Sequence, residues 1–370
     1  MWIATIIVSS LILHGSAYQA PPVTGPPTPL PGTPVPLPEA PSLIAWSVEL
    51  PAPPIVSPLI TADAVIVAYR PGIIAAFHRD DGRAVWRAEL QPDAALAADG
   101  PLLYVSAGDT VHALRLADGS LAWQVRAGTL AAPMVAQDGW LLTQDGAALS
   151  ARRAADGTAV WTIEASAQDE ASVISGDMIV SPLLNGRVEA RELLSGRLRW
   201  GHQLGGAPGP LAVIGDRVFV GASNRIFYSL DALTGRVDWP MRVGATVRGR
   251  ATADADRVFF TALDNLVRAV DRWHGAVRWQ TPVAFRPLTG ALSSGGRVFV
   301  AGPDEGVRIL DAATGAPVGR IAFPGRLVLA PAFADTGGAA VFAALTGTLE
   351  ETWKLSLTWP LRAATAPAPR

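Results

Sequence analysis

The residues able to do chemistry are sparse in this chain, and the most suggestive of them are arginines. Arg248 and Arg250 stand two apart in "TVRGRAT", and Arg286 follows in "FRPLTG". Paired guanidinium groups suit the bidentate capture of a carboxylate or another anion. Asp169 and Glu170, in "QDEASV", offer the alternative of a local salt-bridge cluster with those arginines. Two other acidic stretches, "LDN" at Leu263 to Asn265 and Asp304-Glu305, are the nearest candidates for calcium ligands, which must be several converging oxygens. The histidines (His14, His78, His112, His202 and His274) are widely spaced, with no His-x-x-x-His pair and no glycine-flanked nucleophile. Cysteine is absent, which excludes disulfides, thiolate metal sites and a cysteine nucleophile. No catalytic, cofactor or metal residue is assigned from the sequence.

The elements that must position these groups are repeats. A turn phrase, clearest in "SLDALTGRVDW" (Ser229 to Trp239), recurs with its glycine at Gly82, Gly119, Gly157, Gly196, Gly235, Gly275 and Gly315. The gaps are 37, 38, 39, 39, 40 and 40 residues, and such a period marks a repeat architecture. Trp86, Trp123, Trp161, Trp200, Trp239 and Trp279 each follow their glycine by four residues, Gly319 stands at the seventh such place, and Trp46 lies 40 residues before Trp86. Within a period, "GPLAVIG", "DRVFVGA", "NRIFYSLD" and "RVDW" read as four short strands, with a tight hairpin at the Thr-Gly pair. Four strands per 40 residues describe a propeller blade.

The last full phrase is followed by three strand-like runs, so the final blade lacks a fourth strand. "SLIAWSVEL", Ser42 to Leu50, is an orphan strand that can supply it. The expectation is an all-β, eight-bladed propeller over residues 42–358, closed by the strand at 42–50; seven blades and a stray hairpin is the alternative count. The glycines turn the hairpins, and the tryptophans wedge neighbouring blades with the indole N–H finding a backbone carbonyl. Inner strands and their loops line a propeller's channel, and most here are small and apolar ("VSPLI", "AAPMV", "LAPAF"). Arg248, Arg250 and Arg286 break that pattern and are the candidate channel-mouth binding residues.

Composition narrows the partners. Of 370 residues, 49% are hydrophobic, the formal net charge is -2 and Lys354 is the only lysine, so no clustered basic surface invites nucleic acid. Residues 1–17 hold a short apolar run, "IATIIVSSLIL", followed by "GSA", a signal-peptide pattern too short for a comfortable membrane span. Met1-Trp2 carries no basic residue ahead of it, which leaves an uncleaved anchor as the alternative. Residues 18–41 are proline-rich and read as an extended linker, and 359–370 as a C-terminal tail. The expected location is periplasmic or exported.

The turn phrase resembles the tryptophan-docking motif of quinoprotein-type propellers, Ala-x-Asp-x-x-Thr-Gly-x-x-x-Trp. "SLDALTGRVDW" departs only at Ser229; "AFHRDDGRAVW" and "ALRLADGSLAW" keep Ala, Gly and Trp. The resemblance spans about Ser42 to Leu357 and implies the fold. Dehydrogenases of this type bind pyrroloquinoline quinone with calcium, and the family's alcohol dehydrogenases use an adjacent-cysteine disulfide that this chain cannot form. An exported eight-bladed ring without insertions also resembles the BamB family of the outer-membrane β-barrel assembly machinery, although the lipobox cysteine of that family is missing. That resemblance implies a non-catalytic envelope scaffold, a monomeric propeller without a cofactor whose partner is a protein, in particular the barrel insertase. A quinone-dependent dehydrogenase or a ligand-sensing propeller is the alternative.

Overall fold

Continuously buried middle strands and outer strands that alternate buried with exposed residues build eight antiparallel sheets. The computed structural model describes residues 44–304, 306–348, 351–358 and 361–362; the apolar N-terminal run, the proline-rich stretch, Ser42, Glu305 and most of the C-terminal tail lie outside the described residues. Seven blades are consecutive four-stranded sheets: blade 1 at 59–89, blade 2 at 97–126, blade 3 at 135–164, blade 4 at 173–203, blade 5 at 208–242, blade 6 at 247–282 and blade 7 at 292–321. In blade 5 the strands are Pro208–Ile214, Arg217–Ala222, Ile226–Asp231 and Val237–Arg242, in that spatial order. The hairpin between the last two holds Thr234-Gly235, and Gly235 has φ +70°, a left-handed conformation that glycine adopts without Cβ strain.

Blade 8 closes the ring. Trp353–Thr358 pairs with Ala339–Gly347 on one side and with the N-terminal strand Ile44–Leu50 on the other. Ser47 and Ser356 hydroxyls meet at 2.7 Å across that junction. The inner strand of this blade is interrupted, with Arg326–Leu327 and Ala332–Asp335 both pairing with Ala339–Gly347. Leu361–Arg362 pairs with Ala339-Ala340, so sheet pairing runs past Thr358. Closure hides two strand edges that would otherwise be free to pair with other chains.

Hydrogen bonds define two faces. On one, third-to-fourth-strand turns bond first-to-second-strand turns, as from Ala232 N to Asp216 O (2.8 Å) and from Arg272 N to Asp256 O (2.9 Å). On the other, inter-blade connections meet second-to-third-strand turns, as from Gly244 N to Asp264 Oδ2 (3.1 Å) and from Asn185 Nδ2 to Ser166 Oγ (2.9 Å).

No blade buries its faces alone, so the core consists of seams. At the 4/5 seam, Met178, Val180, Val188 and Trp200 of blade 4 pack on Leu211, Val218, Val220 and Leu230 of blade 5. Every tryptophan of the series lies over the turn glycine of the next blade. A Cβ on Gly275 would fall 2.5 Å from the Trp239 ring, and one on Gly82 2.7 Å from Trp46. Six indole N–H groups donate to the carbonyl three residues before that glycine: Trp46 to Arg79, Trp86 to Leu116, Trp161 to Leu193, Trp200 to Ala232, Trp239 to Arg272 and Trp279 to Ala312, at 2.6–3.2 Å. A buried indole withdraws roughly 150–250 Å² from water, a few kcal/mol at about 25 cal/mol per Å².

The two departures have physical reasons. Blade 7 carries Gly319 instead of tryptophan because blade 8 has no third-to-fourth-strand turn on which to dock one. Phe299, Phe333 and Phe342 fill the 7/8 seam, with ring centroids 5.3–6.4 Å apart. At the 2/3 seam, Trp123 Nε1 is buried without a partner, and the carbonyl at the position used elsewhere, Ala154 O, accepts the Tyr104 hydroxyl at 2.9 Å instead.

Candidate functional site

The strand that carries Arg248 and Arg250, Val247–Ala253, is one of the two longest inner strands, and it is bulged. Arg248 pairs with Thr261 and Thr252 with Phe259, so Gly249, Arg250 and Ala251 together stand opposite Phe260. Val247 and Ala251 turn into the 5/6 core, while Arg248 and Arg250 turn out of it and are exposed. Gly249 is required here twice over. Its φ is +66°, and a Cβ would collide with the Gly290 backbone. The Thr261 hydroxyl lies 3.0 Å from both the Arg248 and the Thr289 carbonyl oxygens, and Thr252 Oγ1 donates to Ala291 O at 2.9 Å. The bulge is thereby pinned to blade 7, and a rigid backbone presents the guanidinium groups.

Glu170 reaches the same neighbourhood from the connection entering blade 4. Burial and the adjacent Asp169 push its carboxyl above the usual glutamate range, against the opposing pull of Arg250 and Arg248. Arg250 is shifted down by loss of water around it, and Glu170 partly restores it. Arg250 is therefore open to solvent yet surrounded by protein, as a side chain lining a channel is. Among the described residues no ion pair within 4.0 Å and no side-chain hydrogen bond engages Arg248, Arg250 or Arg286, so their donors stay free while the acids bias the field. Arg286 lies exposed on the connection that precedes the inner strand Leu292–Ser294.

Several residues that sequence reasoning passed over hold the acidic arm. Gln168 Nε2 donates to Ser172 Oγ at 3.1 Å, and Ser172 meets Ser181 at 2.8 Å, all three being buried. In the same seam Glu189 is buried between Arg191 (2.8 Å) and Arg187 (3.4 Å). Strand parity could have found these: Val180 and Val188 face blade 5, so Ser181 and Glu189 must face blade 3.

The acidic stretches do not fit a calcium-quinone centre. Asp264 is taken by Arg268 at 2.5 Å and by the Gly244 and Leu266 amides, and Asp304 pairs with Arg326 at 3.0 Å. Among the described residues no three His, Cys, Asp or Glu side chains converge as a metal would need. The turn glycines are spent on the seams, each with a tryptophan ring of the preceding blade against it.

Eight four-stranded blades, tryptophan-docked and closed by an N-terminal strand, define a quinoprotein-type propeller. The chain belongs to the PQQ_2 family, described as outer membrane protein assembly factor BamB, whose profile matches residues 70–209, 185–325 and 263–356. A search of curated proteins finds no match. Among solved structures, BamB from Moraxella catarrhalis is similar at 19% identity and TM-score 0.68, over 85% of this chain and 97% of that one. The computationally designed protein Ika8 is similar at 17% and 0.69, over 83% and 98%. Quinohemoprotein alcohol dehydrogenase from Comamonas testosteroni is similar at 12% and 0.66, over 88% and 78%. At these identities the likeness is one of fold, and it joins an assembly factor, a design and an alcohol dehydrogenase.

Proposed function

We propose that this protein is a non-catalytic binding scaffold of the cell envelope that assists outer-membrane protein assembly, and that it engages a protein partner through carboxylates at the channel mouth. The observation that carries this reading is the arginine pair on its pinned bulge, exposed and with guanidinium donors unspent. Membership in a family described as an outer-membrane assembly factor supports the process, and the apolar N-terminal run followed by small residues supports export. Charge-assisted hydrogen bonds from two arginines supply roughly 1.5–3 kcal/mol each.

The test is affinity capture from a native envelope extract with mass spectrometry. Recovery of the barrel insertase, reduced at least tenfold by the Arg248→Ala/Arg250→Ala double variant, is the expected result. Undiminished capture by that variant removes the arginines from the interface. Recovery of a cytochrome in place of the insertase overturns the scaffold reading in favour of redox chemistry.

A further inference from the structure

Six seams share one docking geometry, and the 2/3 seam is built differently. The Tyr104 hydroxyl holds the Ala154 carbonyl, and Trp123 is left with a buried, unpartnered N–H. The indole has also shifted. The ring atom nearest an added Gly157 Cβ is Cζ3, at 2.7 Å, whereas at Gly275 the nearest is Cε3, followed by Cδ2. The wall facing it is made of small residues, Ala154, Ala155 and Gly139, and between them a cavity of about 540 Å³ opens on the turn face. That volume falls within the range of small-molecule sites.

The lining decides what it takes. Trp123 presents a half-buried ring, backed by the buried Tyr104 ring with centroids 5.8 Å apart and planes at 45°, and Pro101 and Ala122 add apolar surface. Two charged side chains are present, of opposite sign, and both are engaged. Arg115 donates to Ser120 Oγ and Leu121 O at 3.1 Å, and Asp99 accepts the Gly139 amide at 2.6 Å. Asp118 lies near Arg115 and is satisfied by Ser120. No net charge in the lining calls for an ionic ligand. Burial and the Asp99 charge push the Tyr104 hydroxyl up to about 12, which keeps it a neutral donor.

We propose that the 2/3 seam is a binding site for an uncharged, flat aromatic small molecule seated against Trp123. It lies on the turn face, whereas the arginine pair follows a connection of the opposite face, so it is independent of partner binding there.

The probe is N-phenyl-1-naphthylamine, followed by its fluorescence on titration into the full-length protein, with 8-anilinonaphthalene-1-sulfonate as the same body bearing a charge. Saturable binding at one site is expected, with the sulfonate at least tenfold weaker. Ala155→Leu should weaken the uncharged probe at least tenfold by capping the cavity. The substitution suits the turn, since Leu194 and Leu233 hold the equivalent position in blades 4 and 5. Ala313→Leu, at the equivalent position of blade 7, should bind as the unmodified protein does. Equal binding by Ala155→Leu and the unmodified protein, or equal loss in Ala313→Leu, overturns the site. Sulfonate binding as tight as that of the uncharged probe overturns the ligand class.

Discussion

The 5/6 and 2/3 seams begin from the same turn phrase and end differently. At 5/6, Trp239 is 6% exposed, packs against Phe219 and Phe227 with centroids 6.1 and 6.0 Å away, and bonds Arg272 O. Phe227 in turn stacks on Phe260 at 4.0 Å. At 2/3, Trp123 has only the tilted Tyr104 ring beside it, and its hydrogen bond is lost to that tyrosine. The difference teaches that the tryptophan alone does not close a seam. It closes one when apolar side chains fill the gap and its N–H reaches the docking carbonyl.

The largest expected contrast is in stability. Trp239→Ala should cost about 3–5 kcal/mol, the range for a buried aromatic truncated in a core. Trp123→Ala should cost at least about 1 kcal/mol less, since it forfeits no hydrogen bond. Urea unfolding of the two variants measures the gap, and equal losses would erase the distinction between the seams.

Acid sharpens the comparison from the other side. At the 5/6 turn, burial opposes ionisation of Asp271, but bonds from Arg278 and from the His274 and Trp273 amides outweigh it and hold the carboxyl down at about 2, against an ordinary 3.8. A folded value below the unfolded one means that the contribution is whole above pH 3.8 and is lost as pH falls toward 2. The deficit of Asp271→Asn against the unmodified protein, read from urea midpoints, should therefore narrow across that window. The equivalent turn position at 2/3 is Arg153, which has no such acid limb.

The smallest effect is expected from Tyr104→Phe. Deleting the hydroxyl releases Ala154 O to the waiting Trp123 N–H, so stability should change by no more than about 0.5 kcal/mol. A loss near that of a buried group left unsatisfied, about 1–3 kcal/mol, would mean that the indole cannot move into the bond.

Much of the fold was legible because a period of about 40 residues and a fixed Gly-to-Trp offset are properties of one chain read in order. The eight blades, the hairpin at Thr234-Gly235 and the closure through Trp46 all follow from that spacing. Gly319 was legible as a gap but not as a consequence, since its reason lies in the missing turn of blade 8. The site was less legible. Arg248 and Arg250 stood out as charges in an apolar register, but the bulge rests on Gly249 meeting Gly290, two residues 41 positions apart on different blades. Arg286 read as lying near the start of an inner strand, and it stands six residues before pairing resumes at Leu292, on the connection 283–291. The loss of the Trp123 bond was hidden for a similar reason: Tyr104 and Ala154 are separated by 50 residues.

The strand that seals blade 8 also sets a schedule. Ile44–Leu50 is made early, yet its partner Trp353–Thr358 is among the last described segments of the chain, 309 residues on from Ser47 to Ser356. At about 5–20 residues per second of synthesis, the first strand waits roughly 15–60 s for its mate. A ring latched in this way cannot lock before nearly all of the described chain is available. A circular permutant that carries Ile44–Leu50 directly after Thr358 should close its last blade locally and refold faster; an unchanged rate would place the slow step elsewhere in the ring.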